Sequence, residues 1–204
     1  MSTDTLQGLV AGFDDEALGS QASFRAALHA LSHPGQPVAM DAASGLPVAG
    51  QPAAARLLLA LLDADCALWL SPTLSASPSA AWLRFHTGVR LVNDPAQAQF
   101  AWVGAGDACP PLAAFNAGTD ADPEASTTLV LDVPGWQAGE GWRLSGPGIR
   151  GERQLAVQGL PADFAAQWAE NHAAFPRGVD AYLASADALV GLPRTTRITD
   201  TVEA

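Results

Sequence analysis

At 204 residues, with 49% hydrophobic and only 15% charged side chains, the chain is long enough for one sizeable core and is expected to form a single domain over 1–204. Its formal charge of -11 argues against nucleic acid and against anionic membranes, since both need basic patches. All ten basic residues are Arg, so chemistry that requires a Lys, Schiff-base formation above all, is excluded.

In chain order, residues 1–11 read as a loose lead-in. A helix is expected at Ser20–Ser32, where Phe24, Ala27, Leu28 and Leu31 recur at helical spacing, and His33-Pro-Gly-Gln-Pro37 stops it. Pro52 opens a second helix through Leu62, apolar almost all round and therefore buried. Cys66–Leu70 reads as a strand. Ser77-Pro78 is a good N-cap and first-turn pair for a helix carrying Ala81, Trp82 and Phe85. Val89–Val92 and Phe100–Val103 are short strands, separated by a helical turn at Asp94-Pro95.

Pro110–Ala125 is a long irregular stretch of the kind that is functional or partner-facing, with mobility as the alternative. Strands follow at Thr127–Val133, Trp142–Ser145 and Arg153–Gln158. A helix begins at Pro161 and carries Phe164, Trp168 and Phe175. Val179–Leu183 and Ala188–Leu192 form a hairpin. Residues 199–204 read as a second loose tail. The alternation of helices and strands implies an α/β fold, a three-layer mixed sheet flanked by helices.

No signal peptide pattern and no apolar run of about 18 residues is present, so a soluble, cytoplasmic protein with reduced Cys66 and Cys109 is expected. The apolar excess fits a subunit that buries surface against partners, although Ala-rich helices account for it as well.

Motif by motif, little points to an active site. Gly146-Pro-Gly-Ile-Arg-Gly151 matches a dinucleotide fingerprint, but a strand rather than a helix follows it, so a turn between strands is the better reading. Gly104-Ala-Gly106 runs into Pro110-Pro111 and fails the same test. His29 and His33 share a helical spacing but lack a third ligand, and His86 sits where a helix ends. His172, five residues before Arg177, is the best acid/base candidate and is otherwise a boundary histidine.

The closing stretch carries three arginines beside turn residues: Arg177 and Asp180 in Phe175-Pro-Arg-Gly-Val-Asp180, then Arg194, Thr195, Thr196 and Arg197. Arg177 with Asp180 is expected to be an intramolecular ion pair. Read as an extended chain, Arg194 and Thr196 share one face, and Thr195 and Arg197 the other. Two arginines on opposite faces suit an interface or structural salt bridges better than one ligand phosphate, which stays as the second reading.

Gly12-Phe13, Ser20-Gln-Ala-Ser-Phe-Arg-Ala26, Leu61-Leu-Asp-Ala-Asp65, Arg84-Phe-His-Thr-Gly88, Phe115-Asn-Ala-Gly-Thr119, Leu144-Ser-Gly-Pro-Gly-Ile149, Phe175-Pro-Arg-Gly-Val-Asp180 and Gly191-Leu-Pro-Arg-Thr-Thr-Arg197 together resemble the PhnH family of carbon–phosphorus lyase core-complex proteins. The resemblance runs from about residue 12 to residue 198. It implies a cytoplasmic subunit that assembles with subunits G, I and J in phosphonate breakdown. Their joint first step replaces the adenine of ATP by a phosphonate, with the nucleosidase-like chemistry in subunit I. It also implies a fold like a pared-down type I PLP-dependent transferase, often homodimeric, with no settled catalytic residues to carry over. Without Lys no PLP aldimine forms, so the expectation is no cofactor, no metal and no catalytic residue of its own. The alternative is a standalone enzyme or binder for a phosphorylated metabolite, acting through His172, Arg177 and Arg194.

Overall fold

Two cores on the two faces of one sheet organise the chain. The structure, a computed structural model, describes residues 12–40 and 49–199. The lead-in and the tail expected at the ends lie outside these residues, except that Thr199 still pairs with Arg143.

Helix α1 (Glu16–Ser32) starts four residues earlier than its apolar spacing predicts. Asp15 is the reason: its carboxylate accepts from Leu18 N at 2.9 Å and caps the first turn. A two-residue strand β1 (Val38–Ala39) follows, then α2 (Pro52–Leu61), opened by the expected Pro. Next come β2 (Ala67–Leu70), the single turn α3 (Pro72–Ser75), α4 (Pro78–Thr87) and β3 (Arg90–Val92). Ser77 caps α4 through Ser79 N, and Gly88 ends it in the left-handed region at φ 74°, a conformation that costs Gly little. Strand β4 (Phe100–Val103) coincides with the strand expected there.

The remaining elements are β5 (Thr128–Asp132), β6 (Trp136–Ser145), β7 (Arg153–Val157), α5 (Phe164–Ala173), β8 (Asp180–Ala184), β9 (Ala188–Leu192) and β10 (Arg197–Thr199). Helix α5 begins after Pro161 and ends before Phe175, which therefore stands outside it.

Seven strands form one sheet in the order β1-β9-β8-β5-β4-β2-β3. The run β8-β5-β4-β2-β3 is parallel, while β9 is antiparallel to β8 and to β1. The expected β8–β9 hairpin is present, with Ala181 opposite Leu192. The fold is thus mixed α/β with a multi-strand sheet and helices. One expectation needs correction: β6, β7 and β10 do not join the large sheet but form a separate antiparallel sheet ordered β10-β6-β7.

Strand alternation sends side chains to two cores. Leu68, Leu70, Trp102, Val130, Tyr182 and Leu189 pack with Leu57 and Leu58 of α2 and Trp82 and Leu83 of α4. Ala101, Val103, Leu129, Leu131, Leu183, Val190 and Leu192 pack instead with Phe164 and Trp168 of α5 and with Leu144 and Leu155 of the small sheet. Each fully buried Leu contributes roughly 1.5–3 kcal/mol relative to an exposed one. Helix α1 lies directly on β9: a Cβ at Gly191 would stand 2.5 Å from the Ala30 carbonyl, so only Gly permits this approach. No described helix is long and apolar enough to cross a membrane.

Candidate functional site

Helix α5, the turn after it and the loop between β9 and β10 converge on one corner of the molecule. Asn171, near the end of α5, receives Val179 N on Oδ1 (2.8 Å) and donates from Nδ2 to Val179 O (2.9 Å). Gly178 lies at φ 131°, and a Cβ there would meet Asn171 Oδ1 at 2.9 Å, so the clamp requires glycine. The clamp delivers Asp180 to the first position of β8.

Asp180 then receives Arg194. Its Oδ1 accepts from Arg194 N (2.7 Å) and Nε (3.1 Å), and Oδ2 accepts from Nη2 (2.6 Å). The rest of the guanidinium is also consumed: Nη1 donates to Pro123 O (2.9 Å) and Pro176 O (3.2 Å), and Nη2 to Ser126 Oγ (2.6 Å). The five N–H donors of the fork are matched by five acceptors of the chain itself. The Arg194 side chain is only 11% exposed. It is a structural cation, and no donor remains for a phosphate.

This replaces the ion pair expected between Arg177 and Asp180. Arg177 pairs instead with Asp120, Nε to Oδ1 at 3.2 Å, on an open surface where such a pair contributes roughly 0–1 kcal/mol. The extended reading of 193–198 is corrected too. Thr196 N donates to Pro193 O at 2.7 Å, so a turn precedes β10 and separates the two arginines. Thr196 is fully buried with no partner for Oγ1 among the described residues, while Thr195 is half-buried.

His172 bridges the two arginines. Its Nδ1 lies 2.9 Å from Arg194 O, and because a carbonyl only accepts, Nδ1 carries the hydrogen. That leaves Nε2 as the acceptor for Arg197 Nε–H at 3.1 Å. Both ring nitrogens are occupied, so His172 orients Arg197 rather than standing ready as a free base. Arg197 is exposed, and its Nη groups have no partner among the described residues. It lines a cleft of about 460 Å³ with Ser145, Gly146, Pro147, His172, Phe175 and Thr195. Phe175 is 60% exposed there.

Sequence reasoning thus names most of this corner, Asp180 included, but misses the acceptors that the 110–125 loop adds. Pro123 O and Ser126 Oγ come from the 110–125 loop and its end, and neither residue carries a local signal. That loop is folded against the body. Asn116 Nδ2 donates to Ala125 O (2.8 Å), Gly118 N to Asn116 Oδ1 (3.0 Å) and Gly178 N to Ala117 O (2.8 Å). The Gly146–Gly151 segment is a turn between β6 and β7, as its sequence context implies.

Comparison with known proteins decides the lineage. Residues 11–199 match the family described as bacterial phosphonate metabolism protein (PhnH). The chain belongs to the PhnH family. It is 36% identical over 186 residues to the alpha-D-ribose 1-methylphosphonate 5-triphosphate synthase subunit PhnH of Rhizobium meliloti (strain 1021), covering 91% of this chain and 93% of that relative. It is 34% identical over 188 residues to the putative C-P lyase subunit protein HtxG of Stutzerimonas stutzeri, covering 90% and 87%.

Elsewhere in this PhnH-family chain, titratable groups serve the fold. Burial pushes the Asp132 carboxyl up to about 6, against hydrogen bonds from Trp102 Nε1 (2.7 Å), Gln51 N (2.9 Å) and Ala105 N. Asp132 thereby ties the start of α2 to the end of β5. Burial, with the Asp163 charge behind it, pushes the Cys109 thiol up to about 11, which suits no nucleophile. The His29 and His33 rings stack at 4.2 Å, and His86 packs edge-on against Trp82 and Phe85. Among the described residues no three His, Cys, Asp or Glu side chains come together as a metal site would need.

Proposed function

We propose that this chain is a subunit of the carbon–phosphorus lyase core complex that supports formation of alpha-D-ribose 1-methylphosphonate 5-triphosphate from ATP and methylphosphonate, working through partners rather than through a complete active site of its own. The observation that carries this reading is the Arg194 network. The cation best placed to hold a phosphate is spent on Asp180, Ser126 and two carbonyls, and His172 has both nitrogens engaged. A subunit name in one relative and a lyase-subunit name in the other support the same assignment. The partners in this proposal are subunits G, I and J, with the nucleosidase-like chemistry in subunit I, and the compartment is the cytoplasm.

A homodimer in isolation belongs to the same reading. Leu18, Phe24 and Leu28 leave three large apolar side chains exposed on α1. Antiparallel packing of two α1 helices would set the acids Asp14, Asp15 and Glu16 of one copy near Arg25 and His29 of the other. The likeness to a PLP-dependent transferase fold is kept as a proposal about ancestry of the mixed sheet. It brings no PLP function, since the chain has no Lys.

Co-expression of a tagged chain with subunits G, I and J tests the proposal. Stoichiometric co-purification is expected, and a chain that never enters the complex overturns it. Calorimetry of the isolated chain with ATP and with alkylphosphonates is expected to give no tight binding. Tight binding would instead favour a standalone binder of phosphorylated metabolites acting through His172, Arg177 and Arg194.

A further inference from the structure

The cleft beside Arg197 has an unusual composition for this molecule. In a chain of net charge -11, its one charged lining residue is a cation, set among Phe175, Pro147, Gly146, Ser145, Thr195 and the ring of His172. His172 holds Arg197 by Nε, which leaves the two Nη groups as an end-on fork of the kind that receives a carboxylate on two parallel hydrogen bonds. Beside that fork, Phe175 exposes an aromatic face on the rim. An aromatic and an arginine side by side are the residue types in which binding energy concentrates at protein interfaces.

We propose that this cleft is the docking site for an acidic segment of a partner subunit, with an Asp or Glu side chain on the Arg197 fork and a neighbouring apolar side chain on Phe175 and Pro147. The inference rests on the reading of the chain as a complex subunit and assigns that role a place. Charge favours it twice: an acidic segment is attracted at Arg197 and repelled by most of the remaining surface.

A small phosphorylated ligand fits the cleft less well. Phosphate sites gather several cations or backbone N–H groups. Here Arg177 is paired with Asp120, Arg194 is saturated, and no Lys exists to add charge. A single guanidinium in an apolar setting matches one carboxylate and leaves a triphosphate mostly uncompensated.

The test uses the full chain, tagged and co-expressed with subunits G, I and J, comparing wild type with Arg197→Glu, Arg197→Lys and Phe175→Ala. Recovery of partners is expected to fall at least about tenfold for Arg197→Glu and several-fold for Phe175→Ala. Arg197→Lys, which keeps the charge but loses the fork, is expected to fall in between. Wild-type recovery should drop with salt more steeply than that of Arg197→Glu. Both altered side chains are exposed, so thermal unfolding midpoints of the isolated variants serve as the folding control and are expected to match wild type.

If wild type assembles and well-folded Arg197→Glu and Phe175→Ala assemble equally well, the cleft assignment is wrong while the subunit reading stands. If wild type recovers no partner, both are wrong. Tight ATP binding by the isolated chain that Arg197→Glu abolishes would make the cleft a small-anion site and overturn the proposal. Loss of self-association alone in Arg197→Glu would put a second copy in the cleft, with the same consequence.

Discussion

Arg194 and Arg197 stand three residues apart in one acidic chain, and the fold treats them in opposite ways. Arg194 turns inward and meets a carboxylate, a hydroxyl and two carbonyls, while the Arg197 guanidinium turns outward and, among the described residues, meets only an imidazole nitrogen. The difference does not come from the arginines. It comes from the supply of acceptors, which Asp180 at the start of β8 and the docked 110–125 loop provide on one side only. An arginine becomes structural where the backbone brings it enough oxygens, and it stays available for recognition where the backbone does not.

The comparison breaks most readily at Arg194. Arg194→Ala would leave Asp180 partly buried without its cation, and a loss on the order of 3–5 kcal/mol in urea unfolding is expected. A loss under about 1 kcal/mol would mean that the inner network is ornamental and that the two arginines are alike. Next in size is Trp168, fully buried, whose Nε1–H donates to Thr196 O at 2.8 Å and fixes the turn between the arginines. Trp168→Phe removes that donor from a buried carbonyl and opens space in the core. A cost of roughly 2 kcal/mol by chemical denaturation is expected.

Asp132 sharpens the contrast from another side, as a buried carboxylate held by N–H donors alone. Its carboxyl titrates near 6 in the folded chain, above the ordinary value of 3.8, so the folded state binds the proton more tightly. The stabilisation is therefore fully present below about pH 4 and is lost as pH rises through 6. Relative to Asp132→Asn, wild type should gain roughly 1 kcal/mol of stability between pH 7.5 and pH 5. Equal pH profiles for the two proteins would contradict this. The smallest effect belongs to Arg197→Ala, which should shift unfolding by less than about 0.5 kcal/mol, as expected for an exposed side chain.

Much of the architecture is legible in the sequence because its signals are local. Pro52 and Ser77-Pro78 mark helix starts through backbone chemistry, and the short, largely apolar runs Phe100–Val103, Val179–Leu183 and Ala188–Leu192 mark strands. The division into two sheets is not legible, since which strand pairs with which is decided by contacts far apart in sequence. The two-residue β1 and the single-turn α3 are too short to carry a periodicity.

The same distinction governs the site. His172, Asp180, Arg194 and Arg197 can be named from residue type and proximity in the chain. Two further partners of Arg194 cannot, because Ser126 and Pro123 lie 68 and 71 residues away from it in sequence. Proximity pairs Arg177 with Asp180, its near neighbour, when the oxygen that reaches it belongs to Asp120. The cleft leaves no trace in the sequence because Pro147 and Phe175 belong to segments that meet only after folding.

The imidazole of His172, seated between the carbonyl of one arginine and the Nε of the other, also works as a strut. A long side chain on a surface ordinarily samples many rotamers, and a partner must immobilise it at a cost of about 0.5–1.5 kcal/mol. Arg197 is braced before any partner arrives, against a ring whose far side rests on the carbonyl of the buried Arg194. The outward handle thus inherits rigidity from the buried network, and the two arginines, opposite in exposure, form one mechanical unit.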